Sequence, residues 1–268
     1  FLTNIERVEK ICDLLIEREL TNFKIVTETR AKDVVRAEPI MDKLYRIGMR
    51  KIGLGIESPN LKTLSLMNKK VVFDDVSRAI NIINKNKIHS QGYFIIGHYS
   101  ETVEDTKRYP DFARKLGLNQ SIFMVVTPYP GTKIFNEYKD GNNIVSFDWN
   151  RYNNFYPVIK TIDMDPATIM RMLAYCYASH SRYSSLLKSK NSFKAVFDLI
   201  SRLLTSYGLL RVYGLINKQD LFRIICDSFQ DFVTRKIPLP SESLTQYKKK
   251  IKVRAHHSDK LNLDFIIE

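Results

Sequence analysis

The sequence predicts an α/β fold in which parallel strands alternate with helices, followed by a helical C-terminal extension. Short runs rich in β-branched residues begin near residues 23, 51, 89 and 121, at intervals of 28 to 38 residues. Apolar residues at helical spacing occupy each interval, which is typical of successive βα units. From about residue 166 onward the helical patterns continue without further strands.

Length and composition limit the class of protein. The chain has 268 residues, 44% of them hydrophobic, which is enough for one large domain with an extension. It contains no apolar run of about 18 residues and no charged-then-apolar leader, so neither a membrane span nor a signal peptide is indicated. Cys12, Cys176 and Cys226 are widely separated, which favours reduced thiols in a cytoplasmic protein and gives no metal-ligand spacing.

The first elements follow from capping residues and apolar spacing. Asn4 is suited to cap an amphipathic helix, and residues 23–30 then read as a strand. A helix led by Pro39 and closed by Gly48 comes next. Residues 51–58 form an apolar run with two glycines, which indicates a buried parallel strand with room for a close approach to its backbone.

The second half of the sheet follows the same alternation. A helix over about 73–87 leads to a strand over 89–97. The pattern over 102–116 is helical, although Pro110 must kink that helix or shift its start. A fourth strand over 121–127 ends at a proline. Four units with short crossovers form most of an open barrel, and a doubly wound sheet is the structural alternative.

These elements divide the chain into four parts. Residues 1–140 form the barrel part, 141–165 a connecting segment, 166–236 a helical extension and 237–268 a basic tail. Residues 169–268 contain 17 Lys or Arg against 8 Asp or Glu, so most of the formal charge of +13 lies there. Such a surplus suits nucleic acid, an anionic membrane surface or an acidic substrate. No nucleic-acid-binding module is recognisable. Residues 201–216 are basic and amphipathic enough for peripheral membrane contact, although a core helix is the default interpretation.

Polar residues follow each predicted strand at its carboxyl end, where α/β sheets collect their chemistry. The members are Glu28, Thr29 and Arg30; Glu57 and Ser58; Gly97, His98 and Tyr99; and Thr127, Tyr129 and Gly131. Their convergence on one edge predicts a site for a polar cofactor. Glu57 could instead cap the following helix or face solvent, and Glu28 could simply pair with Arg30. The sequence contains neither a phosphate loop nor G-x-G-x-x-G.

The order of motifs along the chain resembles that of a known family. The motifs are Glu28-Thr-Arg30, Gly55-Ile-Glu-Ser58 with Asn68-Lys69, Gly92-Tyr-Phe-Ile-Ile-Gly97 with Ser100-Glu-Thr102, and Thr127-Pro-Tyr-Pro-Gly-Thr132. They resemble the later strands of radical SAM enzymes. More narrowly, they are similar to the class with an N-terminal cobalamin-binding domain, which includes the anaerobic magnesium-protoporphyrin monomethyl ester cyclase and the hopanoid methyltransferase group. The resemblance covers residues 1 to about 165.

The resemblance implies a partial (βα)6 barrel in which S-adenosylmethionine (SAM) binds across the strand ends beside a [4Fe–4S] cluster. By position, Glu28 would contact the SAM ribose, Glu57 would lie near the methionyl group, and Lys69 would bind the methionine carboxylate. The backbone at Ile96 and Gly97 would border the adenine. The remaining members of the predicted cofactor-binding set are Arg30, Gly55 and Ser58.

Two departures from the family pattern limit the prediction. The cluster-binding C-x-x-x-C-x-x-C is missing, so we expect this chain to be a C-terminal fragment, with the cluster ligands and any cobalamin domain outside it. His98-Tyr-Ser100 stands where relatives usually have Leu-Pro-Gly, and we interpret His98 as a loop residue rather than a metal ligand. No catalytic or metal-ligating residue is therefore predicted within the chain.

Two functions remain open from the sequence. In the first, the chain is the SAM-binding part of an enzyme that generates a 5′-deoxyadenosyl radical for methyl transfer or cyclisation at an unactivated carbon. The family then implies a small-molecule or lipid substrate and a reductant of the flavodoxin or ferredoxin type. In the second, the chain is a catalytically silent βα fragment that binds a nucleotide-like ligand or a partner.

Overall fold

A single parallel sheet forms the centre of the protein. The computed structural model describes residues 1–67, 69, 71–188, 204–205, 207–211 and 214. The strands are β1 (Ile25–Thr29), β2 (Met49–Glu57), β3 (His89–Ile96) and β4 (Gln120–Val125). Their order in the sheet is β1-β2-β3-β4, and every neighbouring pair is parallel. The predicted strands, their adjacency and the α/β fold class are therefore confirmed.

Helices precede, connect and follow the strands in the described part of the chain. They are α1 (Ile5–Glu17), α2 (Ala31–Arg36), α3 (Met41–Arg46), α4 (Leu61–Leu66), α5 (Phe73–Lys85), α6 (Val103–Thr106), α7 (Tyr109–Lys115), α8 (Lys133–Asp140) and α9 (Pro166–Lys188). As predicted, Asn4 caps α1, because its side chain accepts a hydrogen bond from Arg7 N. Thr102 caps α6 in a reciprocal capping box with Asp105.

The two faces of the sheet differ in burial. Leu54, Phe94 and Phe123 are buried on the face that the helices cover. On the opposite face Val26 is 61% exposed, and Gly55 is exposed as well. Strands that add in chain order through right-handed crossovers place every helix on one face. A doubly wound sheet requires a reversal of strand order, and the four described strands show none, so their arrangement is that of consecutive units of an open barrel.

Proline positions explain two of the places where the observed helices differ from the predicted ones, and α2 and α8 were not predicted. The helix expected to start at Pro39 is divided, since Glu38–Ile40 forms a 3-10 turn between α2 and α3. The helix expected over 102–116 is likewise divided into α6 and α7. Pro110 lies in the first turn of α7, where its missing N–H costs no helical hydrogen bond.

The start of the predicted extension packs on the sheet. In α9, Ile169, Leu173 and Cys176 are fully buried, as their common helical face predicted. The Tyr177 hydroxyl donates to Phe123 O at 2.8 Å and accepts from Phe123 N at 3.2 Å. This helix therefore satisfies backbone groups on the outer edge of β4.

Other parts of the predicted extension cannot be compared with the structure. The helical faces predicted over 193–200 and 221–232, and the basic tail from residue 237, lie outside the described residues. Of the basic stretch 201–216, the structure describes residues 204–205, 207–211 and 214. Among the helices in the described ranges, none combines the length and the apolar character needed to cross a bilayer.

Candidate functional site

Glu57 ends β2 in an unusual backbone conformation. Its φ is +67°, and the register between β2 and β3 shifts between Gly55 and Glu57. A residue with a side chain adopts positive φ at a cost, and such strain concentrates at functional sites. A Cβ added at Gly55 would lie 3.0 Å from Glu57 Oε1. The glycine thus leaves room for the Glu57 carboxylate to fold back over the strand end.

The partner of this carboxylate is a second predicted site residue. Lys69 Nζ donates to Glu57 Oε1 at 2.9 Å. The structure therefore brings together the two residues that the resemblance assigned to the methionyl end of SAM. Glu57 does not cap the next helix, because Asn60 performs that role by accepting from Lys62 N at 2.9 Å. It is also buried, so the capping and solvent-facing alternatives for Glu57 are both wrong.

Ser58 lies behind the rim rather than on it. It is fully buried, its Oγ accepts from Asn60 N at 3.1 Å, and it lies 2.8 Å from the Tyr109 hydroxyl. These contacts use its hydroxyl within the protein. Of the residues predicted at the end of β2, Glu57 is thus the one whose carboxylate reaches the edge of the sheet.

Glu28 faces the open side of the sheet from the edge strand β1. Its Oε1 accepts from the Tyr93 hydroxyl at 2.6 Å, across the intervening strand β2. A Cβ at Gly53 would lie 2.7 Å from Tyr93 Cε2, so glycine there lets the tyrosine cross β2. Burial and the Glu28 contact raise the pKa of Tyr93 to about 12, which keeps its proton available to that carboxylate.

Arg30 belongs to a different contact. Its Nε donates to Asp33 Oδ2 at 2.9 Å at the start of α2. The alternative of a Glu28–Arg30 ion pair is therefore wrong, since each residue has another partner. Arg30 is mostly exposed, and the structure does not bring it into contact with Glu28, Glu57 or Lys69.

The turn after β3 is held by a carboxyl group that the sequence reasoning missed. Glu101 is 1% exposed, and its Oε2 accepts from Gly97 N at 2.8 Å and His98 N at 3.3 Å. The Tyr109 hydroxyl donates to its other oxygen. Burial raises the pKa of Glu101 to about 7, although the hydrogen bonds from Tyr109, Gly97 and His98 oppose the rise. Only its place in the Ser100-Glu-Thr102 motif could have drawn attention to it.

The backbone at Ile96 and Gly97 is already hydrogen-bonded within the protein. Ile96 O accepts from Val126 N at 3.0 Å, and Gly97 N is taken by Glu101. Gly97 has a φ of +83°, which favours glycine at this turn. A ligand beside this segment would therefore meet it mainly through van der Waals contact.

His98 is buried in the same turn. Its Nε2 has no hydrogen-bond partner among the described residues, and burial lowers the pKa of the imidazole to about 4. The ring is therefore neutral at physiological pH. His98 thus lies in the loop after β3, as the sequence predicted, and it is buried there.

The cysteines among the described residues do not form an iron–sulfur cluster site. Cys12 lies in α1 and Cys176 in α9, and both are buried. Burial and the neighbouring Asp13 raise the pKa of Cys12 to about 11. Within the described ranges, no group of three or more His, Cys, Asp or Glu side chains is arranged to hold a metal ion. Cys226 lies outside the described residues.

Comparison with curated proteins gives relatives of one kind. No protein-family model matches the chain. An uncharacterized methyltransferase of Pyrococcus horikoshii is 32% identical over 181 residues, which are 66% of this chain and 38% of that protein. The anaerobic magnesium-protoporphyrin IX monomethyl ester cyclase of Rubrivivax gelatinosus is 27% identical over 60% of this chain and 28% of its own. The bacteriochlorophyllide d C-8(2)-methyltransferase of Chlorobaculum tepidum is 26% identical over 69% of this chain and 40% of its own. The chain thus spans less than half the length of these relatives.

Solved structures give looser similarities. OxsB, a cobalamin-dependent S-adenosylmethionine radical enzyme with aqua-cobalamin bound, has a TM-score of 0.49 at 15% identity, over 95% of this chain and 45% of its own. TsrM, a radical S-adenosylmethionine methyltransferase from Kitasatospora setae, has a TM-score of 0.45 at 17% identity, over 51% of this chain and 28% of its own. The class is therefore taken from the sequence relatives.

The sequence relatives point to one class, the one whose motifs the chain resembles: cobalamin-linked radical SAM enzymes. Within that class its relatives are the anaerobic magnesium-protoporphyrin cyclases and the bacteriochlorophyllide d methyltransferases, so the resemblance stated from the sequence is confirmed.

Proposed function

We propose that the chain is the SAM-binding part of a cobalamin-linked radical SAM enzyme that transfers a methyl group or closes a ring at an unactivated carbon. The observation that carries this proposal is the Glu57–Lys69 pair at the carboxyl end of a central strand, in a chain whose curated relatives are named as methyltransferases and cyclases. A catalytically silent fragment is not favoured, because those relatives are named as enzymes.

The charges at the end of β2 suit the amino-acid end of SAM. That end carries one ammonium and one carboxylate group, and the pair offers one carboxylate and one ammonium. Lys69 is half exposed, so its flexible chain can turn from Glu57 to a ligand carboxylate. Glu57 would then accept from the ligand ammonium. The residues present therefore fit the group that the resemblance implies.

Glu28 suits the ribose. Its Oε1 already accepts from Tyr93, and its second oxygen remains available to accept from a hydroxyl. Bound beside a [4Fe–4S] cluster whose ligands lie outside this chain, SAM supplies the radical chemistry, with an electron from a flavodoxin- or ferredoxin-type reductant. This chain's part is to orient the ligand and to fix the turn at Gly97 through Glu101.

The substrate class that the relatives support is a tetrapyrrole. Two kinds of relatives are named for magnesium-protoporphyrin ester and for bacteriochlorophyllide d, which are flat, conjugated macrocycles. We therefore favour a tetrapyrrole-like substrate over a lipid.

The test uses the whole protein encoded by the reading frame that contains this chain. It is reconstituted anaerobically with iron and sulfide, and SAM binding and reductive cleavage to 5′-deoxyadenosine are measured. We expect cleavage that depends on the cluster. A frame without C-x-x-x-C-x-x-C before residue 1, or a cluster-loaded protein that does not bind SAM, would contradict the proposal.

A further inference from the structure

Four aromatic side chains form a continuous ridge beside the carboxyl end of β4. The aromatic ridge consists of Tyr129, Tyr152, Trp149 and Phe147. Ring centroids are 6.3 Å apart for Tyr129 and Tyr152, 4.7 Å for Tyr152 and Trp149, and 6.4 Å for Trp149 and Phe147. Tyr152 is buried, whereas Tyr129, Trp149 and Phe147 are 42%, 56% and 53% exposed. The buried Tyr152 therefore supports Tyr129 and Trp149 directly, and Phe147 packs on Trp149.

Hydrogen bonds fix the backbone that carries these rings. The Tyr129 hydroxyl donates to Tyr152 O at 3.1 Å, and the Tyr152 hydroxyl donates to Ser146 O at 3.0 Å. Asp148 Oδ1 accepts from Asn150 N at 3.1 Å and so caps the turn that contains Trp149. The exposed rings consequently sit on an ordered support, which lowers the conformational entropy lost when a ligand covers them.

The ridge lies next to the predicted cofactor edge. Asn154 O accepts from Val125 N at 2.7 Å, which fixes the segment against the end of β4. Val126 N donates to Ile96 O at 3.0 Å, so the end of β4 adjoins the turn expected to border the adenine. Neighbouring strands are about 4.8 Å apart. A ligand on the ridge would therefore lie beside the SAM edge rather than on a remote surface.

We infer that the aromatic ridge binds the flat face of a conjugated macrocycle with carboxylate side chains; this rests on the proposed tetrapyrrole-type function. Indole and phenyl faces stack on extended π-systems, and contiguous exposed aromatic surface marks interaction sites. Arg151 lies in the same turn as Trp149, and its side chain is 46% exposed; its guanidinium pairs with Asp148 at 3.2 Å and lies 4.7 Å from the centroid of the Tyr156 ring. It supplies a cation that can also meet a carboxylate of the macrocycle.

The test exploits Trp149, the chain's single tryptophan. Protoporphyrin IX is titrated into the 268-residue chain. We expect quenching of the Trp149 emission together with a shift in the porphyrin absorption band, and the band shift then gives the dissociation constant for every variant. Trp149→Ala should raise that constant at least tenfold, which corresponds to about 1.4 kcal/mol. Trp149→Phe, which keeps a flat ring, should remain within about threefold of the wild-type value.

A matched control variant tests whether the loss of affinity is specific to the aromatic ridge. Phe23→Ala removes an aromatic ring that is 46% exposed near the amino end of β1, and it should leave the dissociation constant unchanged. Should Trp149→Ala lose its circular dichroism spectrum, Phe147→Ala replaces it with the same expectation. Equal porphyrin affinity in the wild type and the folded ridge variants overturns the inference.

The other occupants of such a surface are a lipid bilayer and a second copy of this chain. Trp149-dependent sedimentation with neutral phosphatidylcholine vesicles, or Trp149-dependent dimerisation, without an effect on porphyrin affinity, also overturns it. Failure of this inference is distinguishable from failure of the proposed function. If the whole protein cleaves SAM while its ridge variants bind porphyrin with wild-type affinity, the proposed function stands and only the inference about the aromatic ridge is overturned.

Discussion

Lys69 Nζ lies 2.9 Å from Glu57 Oε1, and the two side chains are unequally exposed, at 50% and 10%. The carboxylate is held in place by its backbone conformation and by the space over Gly55, whereas the lysine is free to move on its flexible stem. A fixed acceptor beside a movable cation can exchange this internal pair for contacts with a zwitterionic ligand. Such an exchange costs little, since a partly exposed ion pair contributes about 0–1 kcal/mol.

Glu57→Gln should therefore weaken SAM binding much more than it weakens the fold. In the cluster-loaded whole protein, losing the charge should raise the SAM dissociation constant about tenfold to a hundredfold, or roughly 1.5–3 kcal/mol. Stability should change by less than about 1 kcal/mol, because glutamine keeps an acceptor for Lys69. Isothermal titration and thermal melting measure the two quantities.

The matched control for that substitution is Glu38→Gln. Glu38 Oε2 pairs with Arg78 at 2.7 Å, and both side chains are exposed, at 45% and 61%. The Glu38→Gln substitution should leave the SAM dissociation constant unchanged. Unchanged affinity in Glu57→Gln as well would remove Glu57 from the cofactor site and leave its conformation without a functional explanation.

Gly48→Ala should destabilise the fold through a backbone collision. Gly48 has a φ of +101°, and an added Cβ would lie 2.2 Å from Phe23 O. Positive φ and overpacking each cost about 1–3 kcal/mol, so we expect a loss of about 2–6 kcal/mol in urea unfolding. Gly117→Ala is the control: its φ is +73° but nothing lies within 4 Å of the added Cβ. Equal losses in the two variants would mean that the collision relaxes and that only the φ strain is felt.

The sequence was sufficient for the sheet because its signals were local. β-branched runs indicated the strands, and helical spacing and capping residues indicated the helices between them. The short crossovers then predicted that each strand lies next to the one before it in the chain. The contacts that define the site are not local. The Tyr93 hydroxyl donates to Glu28 across a glycine in the intervening strand, and the Tyr109 hydroxyl, at the start of α7, contacts Glu101 and Ser58 in two loops. Neither contact leaves a periodic pattern in the sequence. The residue types therefore placed Glu28 and Ser58 near the carboxyl ends of their strands but did not predict which side chains they contact.

Tyr177→Phe should show how firmly α9 is joined to the sheet. Its hydroxyl bonds both Phe123 N and Phe123 O, so the substitution leaves two backbone groups of β4 without these partners. We expect a loss of about 1–3 kcal/mol in the free energy of unfolding. Tyr175→Phe removes a hydroxyl from a partly buried tyrosine of the same helix and should cost less than about 0.5 kcal/mol. Identical values would show that water or another group replaces the Tyr177 contacts.

The last prediction concerns the buried carboxyl group behind the Gly97 turn. Burial raises the pKa of Glu101 from 4.5 to about 7, so the folded protein holds this proton in a range where the unfolded chain has lost it. The stabilisation is therefore present in full below pH 4.5 and is lost as the pH rises towards about 7. The shift corresponds to about 3 kcal/mol, at about 1.4 kcal/mol per pH unit.

Glu101→Gln isolates this contribution, because glutamine does not titrate but can still accept from the Gly97 N–H. The free energy of unfolding of the wild type minus that of Glu101→Gln should fall between pH 4.5 and 7 and stay level above that range. Glu104→Gln is the control. Lys107 lowers the pKa of the Glu104 carboxyl, so this exposed group is ionised in both states across most of the window. If the Glu101 difference instead rises with pH, the hydrogen bonds from Gly97, His98 and Tyr109 outweigh burial, and Glu101 is a charged anchor of the turn rather than a protonated one.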